Sequence, residues 1–328
     1  MRRILAALLL LVTLGPNPWQ DIRFPRFNAD QAIRASPLAL DPVGLRAGRL
    51  KLLEAWELTS NHSRFGSYSA MTLVGERRFL FAADMGWLTE ISLDRGGRVT
   101  AARLSPLVAG PGRTRGPKSA HDIEAMTVAP DGEVWLGFEH GEQIWRYDRG
   151  LHRALARRAP GEMKEWGTNS GAEAMVRLGN GRFIVLAEMK ASKSGKTKGL
   201  VFLGDPTRED TRSIRFAYDS EGKGRVTDMA LLPDGRVLIL HRALSVTGGF
   251  ASTLAVAHPG EIKRGKRWRS RSLGVLAPPL VNENFEGLAI EPGTGPATGR
   301  DAVIWIVSDD NMSGWQRTLL LRLAVEGL

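Results

Sequence analysis

The sequence predicts an all-β fold, a closed β-propeller of five blades. A recurring pattern, short strands between turn residues, and an unmatched strand at each end of the chain predict it. The pattern reads acid or Ser, small residue, Met or Leu, then a turn, then an apolar strand. Its copies are Ser69-Ala70-Met71, Glu124-Ala125-Met126, Glu173-Ala174-Met175, Thr227-Asp228-Met229 and Glu286-Gly287-Leu288. They recur about every 50–60 residues, a period that suits a four-stranded blade. Turn residues follow each copy: Gly75-Glu76, Pro130-Asp131-Gly132, Gly179-Asn180-Gly181, Pro233-Asp234-Gly235 and Pro292-Gly293. After each turn comes an apolar run: Phe79–Ala82, Val134–Phe138, Phe183–Ala187, Val237–Leu240 and Val303–Val307. Short runs punctuated by Gly, Pro and Asp are the all-β signal.

Taken in order, Arg2 and Arg3 precede an apolar run from Ile4 to Leu14. That run is too short to span a bilayer but suits a signal peptide over residues 1–15. The expected location is therefore periplasmic or secreted, with no transmembrane span after the signal segment. Residues 16–43 contain Pro16, Pro18, Pro25, Pro37 and Pro42 and read as an irregular lead-in. The propeller then occupies 44–328. Leu50–Leu58 reads as a strand without a blade of its own. The first two units continue through Trp87–Leu93 and Val99–Leu104, and through Gln143–Tyr147 and a weak Ala154–Ala156. The fifth unit shows only three strands, Leu288–Ile290, Val303–Val307 and Leu319–Leu323. The N-terminal strand is expected to complete this last blade and close the ring, which covers two sheet edges. A sixth, degenerate blade in the long fourth or fifth interval is the alternative count.

The chain has no cysteine, which excludes disulfides, thiolate metal sites and a Cys nucleophile. Its formal charge is +10. Lys190, Lys193, Lys196 and Lys198 form one basic cluster, and Lys263, Arg264, Lys266, Arg267, Arg269 and Arg271 a second. These are either solvated loop faces or attractors of anions. No nucleic-acid-binding pattern accompanies them, so nucleic acid is not an expected partner. Ser194-Gly195-Lys196-Thr197 lacks the upstream Gly of a phosphate loop, and Gly66-Ser67-Tyr68-Ser69-Ala70 lacks the closing Gly of a nucleophile elbow.

Strand polarity says where chemistry sits. The start of each first strand and the end of each second strand share one face of the ring. From first-strand starts come Ser69, Asp122, Glu124, Glu173, Asp228 and Glu286. From second-strand ends come Asp84, Glu139, His140, Glu188, Lys190, His241, Arg242, Asp309, Asp310 and Asn311. Carboxylates crowded in one funnel repel unless they are protonated, hydrogen-bonded or bound to a cation. Hard oxygen donors favour calcium or magnesium. Glu124, Glu173, Asp228, Glu286 and His241 are the candidate catalytic residues. Lys190, Arg242 and Asn311 are the candidate binders of an anionic small-molecule substrate, and Asp84, Asp309 and Asp310 the candidate ligands of a calcium ion. The competing reading makes the repeated acids latches that accept backbone N–H groups from the next blade.

The chain resembles the bacterial phytase-like proteins described by esterase-like activity. The resemblance rests on Phe65-Gly66-Ser67-Tyr68-Ser69-Ala70-Met71, Ala83-Asp84-Met85-Gly86 and Asp122-Ile123-Glu124-Ala125-Met126. Asn284-Phe285-Glu286-Gly287-Leu288-Ala289 and Ser308-Asp309-Asp310-Asn311 add to it. It implies a β-propeller, export, and hydrolysis of phosphoesters or esters. Three functions stay open: a metal-assisted phosphoester or ester hydrolase, a non-catalytic envelope binding propeller, and a sugar-lactone hydrolase. Fold alone does not decide among them.

Overall fold

The computed structural model describes residues 27–39, 45–110, 121–139, 141–166, 171–187, 196–245, 247–278, 280–281 and 283–328. Residues 1–15, where a signal peptide is expected, and about half of the lead-in lie outside them. Among the described residues no helix is long and apolar enough to cross a membrane.

Five antiparallel sheets form the blades of a propeller. The first blade runs Tyr68–Gly75, Arg78–Ala83, Trp87–Leu93 and Val99–Pro106 from axis to rim. The second runs Ile123–Val128, Val134–Phe138, Gln143–Tyr147 and Ala154–Arg158. The third runs Ala172–Arg177, Phe183–Ala187, Lys196–Phe202 and Ser213–Asp219. The fourth runs Arg225–Leu231, Val237–Ser245, Gly249–Ala257 and Arg271–Leu276. The fifth takes Phe285–Ile290, Ala302–Ser308 and Thr318–Val325 from the end of the chain. It is completed by Leu50–Ser60, with Leu319 opposite Glu57 and Leu321 opposite Ala55. The ring closes as the unmatched terminal strands required.

The five anchors are equivalent in register. Met71 faces Phe81, Met126 faces Leu136, Met175 faces Val185, Met229 faces Ile239 and Leu288 faces Ile306. The following turns also repeat. Gly132, Gly181 and Gly235 have φ of 94°, 80° and 85°, a left-handed region that disfavours a Cβ. Each donates its N–H to the carbonyl three residues back, at 2.9 Å. Asp131, Asn180 and Asp234 each accept the backbone N–H two residues on.

The core lies between blades. Second strands alternate their side chains between the two neighbouring blades. Phe79, Phe81 and Ala83 pack with Trp305, Val307 and Trp56 of the fifth blade. Leu80 and Ala82 pack with Leu136 and Phe138 of the second. Burial on both faces is why these strands read as unbroken apolar runs.

Two features depart from expectation. Ile33–Pro37, inside the lead-in, is a strand paired along Leu50–Ser60, with Ile33 opposite Ser60 and Pro37 opposite Trp56. Its polar Arg34 and Ser36 and terminal Pro37 suit an edge strand, where a missing N–H is tolerated. The long fourth unit holds an excursion and no sixth blade. Arg267–Trp268 crosses to pair in parallel with Ala217 and Tyr218 at the rim of the third blade.

Glu54 ties the closure. Its carboxylate bonds Arg77 of the first blade at 2.9 Å and Arg322 of the fifth at 2.8 Å. Arg77 also lies over the rings of Trp56 and Trp305. Glu54→Gln is expected to cost about 1 kcal/mol in 50 mM salt and less in 1 M salt, because the partly exposed pairs are screened. Denaturant titrations at about those two salt concentrations check this.

Candidate functional site

Each inner strand carries a bulge at one equivalent place. The register skips a residue between Tyr68 and Ala70, Ile123 and Ala125, Ala172 and Ala174, Val226 and Asp228, and Phe285 and Gly287. The skipped residues are Ser69, Glu124, Glu173, Thr227 and Glu286. A bulge re-aims the side chain it carries. A second ring comes from the residue after each buried pair that precedes the bulge. It comprises Asp84, Glu139, Arg242 and Asp309 in the first, second, fourth and fifth blades. Asp84, Glu139 and Asp309 donate their backbone N–H groups to Ser67, Asp122 and Asn284 at equivalent positions.

The two rings line a basin of about 290 Å³ at one mouth of the channel. Seven carboxylates face it, those of Asp84, Asp122, Glu124, Glu139, Glu173, Glu286 and Asp309, with Ser69, Arg242 and Asn311. Among the described residues, Arg242 is the one cation in that lining. Its guanidinium donates to Glu286 Oε1 at 2.9 Å and to Asn284 Oδ1 at 2.5 Å. Asn284 in turn donates to Asp309 Oδ2 at 3.2 Å, and Asp309 Oδ1 accepts the Asn311 N–H at 2.6 Å. Asn311 adopts a left-handed φ of 49°.

The crowding shows in the proton affinities. Burial, then the charges of Glu173, Asp122, Glu286 and Glu139, push Glu124 well above the usual carboxylate range. Burial first, then Glu286, pushes Asp309 up to about 8. Within the basin, oxygens of Asp122, Glu124 and Glu139 lie within 4.8 Å of one another. Two ligands across a calcium ion with bonds of about 2.4 Å are separated by about that distance. The donor set is all oxygen and the local charge strongly negative, so these three residues fit a hard divalent cation.

Of the sequence-derived candidates, Glu124, Glu173, Glu286, Arg242, Asn311, Asp84 and Asp309 meet in this basin. Asp228, Asp310 and His241 stand elsewhere. Asp228 is buried outside the basin lining. Its Oδ1 accepts from Met229 N and its Oδ2 from Leu288 N, both at 2.7 Å, so it latches the fourth inner strand to the fifth. Asp310 is also a latch. Its carboxylate accepts from Ser67 N and Met312 N at 3.0 Å and from the Thr318 hydroxyl at 2.8 Å. A Cβ on Gly66 would fall 2.4 Å from Asp310 Oδ2, which explains that glycine. Lys190 falls outside the described residues. The acids whose oxygens converge thus differ from the expected trio of Asp84, Asp309 and Asp310. Asp122 and Glu139 were visible as mouth acids, but sequence spacing does not show that their oxygens meet those of Glu124.

His241 is fully buried between the third and fourth blades. Its Nδ1 lies 3.2 Å from the Thr253 carbonyl, so Nδ1 carries the proton and donates. Its Nε2 then accepts from the Tyr218 hydroxyl at 2.8 Å, and that hydroxyl also contacts Ser270 Oγ at 2.6 Å. Burial lowers its pKa to about 4. The stabilisation this provides is full above about 6.5 and is lost as pH falls through about 4. His241 should remain neutral at pH 5 in heteronuclear NMR spectra, and His241→Gln should leave any basin activity intact.

The family model described as "Phytase-like: Esterase-like activity of phytase" matches residues 63–312. No curated protein matches the chain. Among solved structures, the PQQ-bound aldose sugar dehydrogenase of Streptomyces coelicolor is 14% identical with a TM-score of 0.46, covering 89% of this chain and 100% of that one. A gluconolactonase-like protein is 13% identical with a TM-score of 0.44, covering 92% and 96%. A streptogramin B lyase is 11% identical with a TM-score of 0.39, covering 81% and 86%. With the family match spanning both rings of the basin and all five inner strands, the chain belongs to the phytase-like family.

Proposed function

We propose that this chain is an exported, calcium-assisted hydrolase of small phosphoesters or esters, and that its basin is the active site. One observation carries the reading: oxygens of Asp122, Glu124 and Glu139 converge within 4.8 Å in the basin that Arg242 also lines. An ion held there would polarise the ester oxygen and lower the pKa of a bound water. The protein's own groups then have separable tasks. Arg242 neutralises an anionic substrate group, and Glu286 and Asn284 fix its guanidinium. Asp309, held near 8, keeps a proton at neutral pH and can donate it to a leaving oxygen. Glu173 is buried at the basin wall and placed to accept a proton from water.

Among the described lining residues the ionised carboxylates outnumber the one arginine, so the basin repels an anionic substrate unless a cation intervenes. Binding of a phosphate monoester should therefore need calcium, whereas a neutral lactone should enter without it. The deciding experiment measures hydrolysis of phosphate monoesters, carboxylic esters and sugar lactones with calcium or with chelator. Calcium-dependent phosphoester or ester turnover, lost by at least about 100-fold in Glu173→Gln, is the expected result. Lactone turnover alone moves the assignment to a sugar-lactone hydrolase. Ion binding without turnover of any substrate makes the protein a binding propeller.

A further inference from the structure

The two basic clusters of the sequence lie far apart in the chain, and none of their described residues lines the basin. The fold brings described members of both to one place. A groove of about 770 Å³ runs along the rim of the third blade, lined by Lys196 from the first cluster and Arg264, Lys266 and Arg267 from the second. Arg215 of the rim strand joins them. All five side chains belong to exposed residues. Arg215 pairs with Glu165 at 2.9 Å and Arg267 lies 3.7 Å from Asp219. Glu162 also lines the groove, accepting from the Ser213 hydroxyl and lying 3.9 Å from Arg158. Among the described residues, Lys196, Arg264 and Lys266 have no acidic partner, so the groove still carries surplus positive charge.

The groove floor is an incomplete sheet edge. Ser213–Asp219 pairs on its inner side with Lys196–Phe202 along its whole length. On its outer side only Ala217 and Tyr218 are covered, by Arg267–Trp268. Among the described residues no strand covers the outer side of Ser213–Phe216. The direction of its backbone groups follows from the ladder. Leu203 N donates to Arg212 O at 2.9 Å, so Arg212 turns its backbone groups inward. Alternation then turns those of Ile214 and Phe216 inward, and those of Ser213 and Arg215 toward the groove. Ile214 is 36% exposed beside them.

We propose that this groove docks an extended acidic peptide segment of a partner protein, added as a further strand along Ser213–Phe216. Strand addition takes its affinity from main-chain hydrogen bonds, and side-chain contacts supply selectivity. Two residues with outward N–H and C=O groups, about 7 Å apart along the strand, match the two-residue repeat of an extended polypeptide. A phosphodiester backbone or a lipid surface offers acceptors but no alternating donors. The lysines and arginines that otherwise guard an edge against self-pairing here select for a partner of opposite charge.

The test uses the full chain in chelator, so that the basin plays no part. A fluorescent peptide of about seven residues alternating Glu and Val is titrated by anisotropy. Parallel titrations use the same peptide N-methylated at alternate residues, a single-stranded oligonucleotide, and vesicles of anionic phospholipid. The Glu–Val peptide should bind, with N-methylation weakening it at least about tenfold and the double variant Arg264→Glu, Lys266→Glu doing the same. Hydrogen exchange at the Ser213 and Arg215 amides should slow on binding. No binding of the peptide overturns the proposal, as does equal binding of its N-methylated form, which would mean charge attraction alone. Tighter binding of the oligonucleotide or the vesicles also overturns it.

Discussion

Calcium added to chelator-treated protein at pH 8 should raise its melting temperature by about 4–5 °C once the ion exceeds its dissociation constant about 100-fold. An ion that binds only the folded chain adds about 2.7 kcal/mol at that excess, and each kcal/mol is worth about 1.5–2 °C in a chain of this size. The pH dependence has a definite sign. Asp309 has its folded pKa raised to about 8, and Glu124 is raised as well. A raised acid binds more protons folded than unfolded, so its contribution is full below about pH 4 and is lost as pH rises through about 8. His241 slopes the other way below about 6.5. The ion-free protein should therefore lose stability between about pH 6.5 and 8, and calcium should cancel that loss. Glu124→Gln removes one ligand and one repelling charge. It should raise the ion-free melting temperature at pH 8 and abolish most of the calcium gain. Differential scanning calorimetry across that range reads both. A calcium response that survives Glu124→Gln would show that the ion does not sit with Asp122 and Glu139.

The fold was legible because each blade repeats the same local physics. Anchor, turn glycine and apolar second strand recur, and strand polarity alone sends the acids of both rings to one mouth. Strand Ile33–Pro37 was illegible for an equally local reason: an edge strand needs no apolar alternation and tolerates proline. The site was legible to within one residue. His241 pairs with Val226 as Ala83 pairs with Tyr68, Phe138 with Ile123 and Ser308 with Phe285. All these positions are buried, and the mouth residue is the next one, which in the fourth blade is Arg242. Where a strand ends is set by tertiary pairing, and the fourth blade's second strand runs on to Ser245, so the strand end drew in buried His241 beside the basin's Arg242. Asp310 was drawn in by adjacency to Asp309, yet successive residues face opposite ways, and its carboxylate turns back to the Ser67 turn.

Asp228→Ala should destabilise the protein by about 2–4 kcal/mol while leaving calcium binding and turnover unchanged. The reason lies in the alignment of the repeats. Thr227 is the bulge residue of the fourth blade, equivalent to Glu124 and Glu286, and its hydroxyl donates to the Phe285 carbonyl at 3.3 Å. Asp228 occupies the small-residue position, equivalent to Ala70, Ala125, Ala174 and Gly287. At Gly287 a Cβ would lie 3.1 Å from the backbone nitrogen of Met71, the anchor of the next blade. The small position therefore looks across the ring at the neighbouring anchor, and at Asp228 that neighbour is Leu288. Its carboxylate satisfies the Leu288 and Met229 N–H groups, and burial holds its pKa well above the usual range. Alanine is sterically acceptable, since three blades carry it there, but it leaves two buried donors unpaired at about 1–3 kcal/mol each. Asn retains one acceptor oxygen and should recover about half of the loss. Urea titrations of the three proteins, each with and without calcium, decide the matter. Equal stability of the Ala and wild-type chains would mean that the latch is not made in solution. A lost calcium response in a stable Asp228→Ala protein would return Asp228 to the basin.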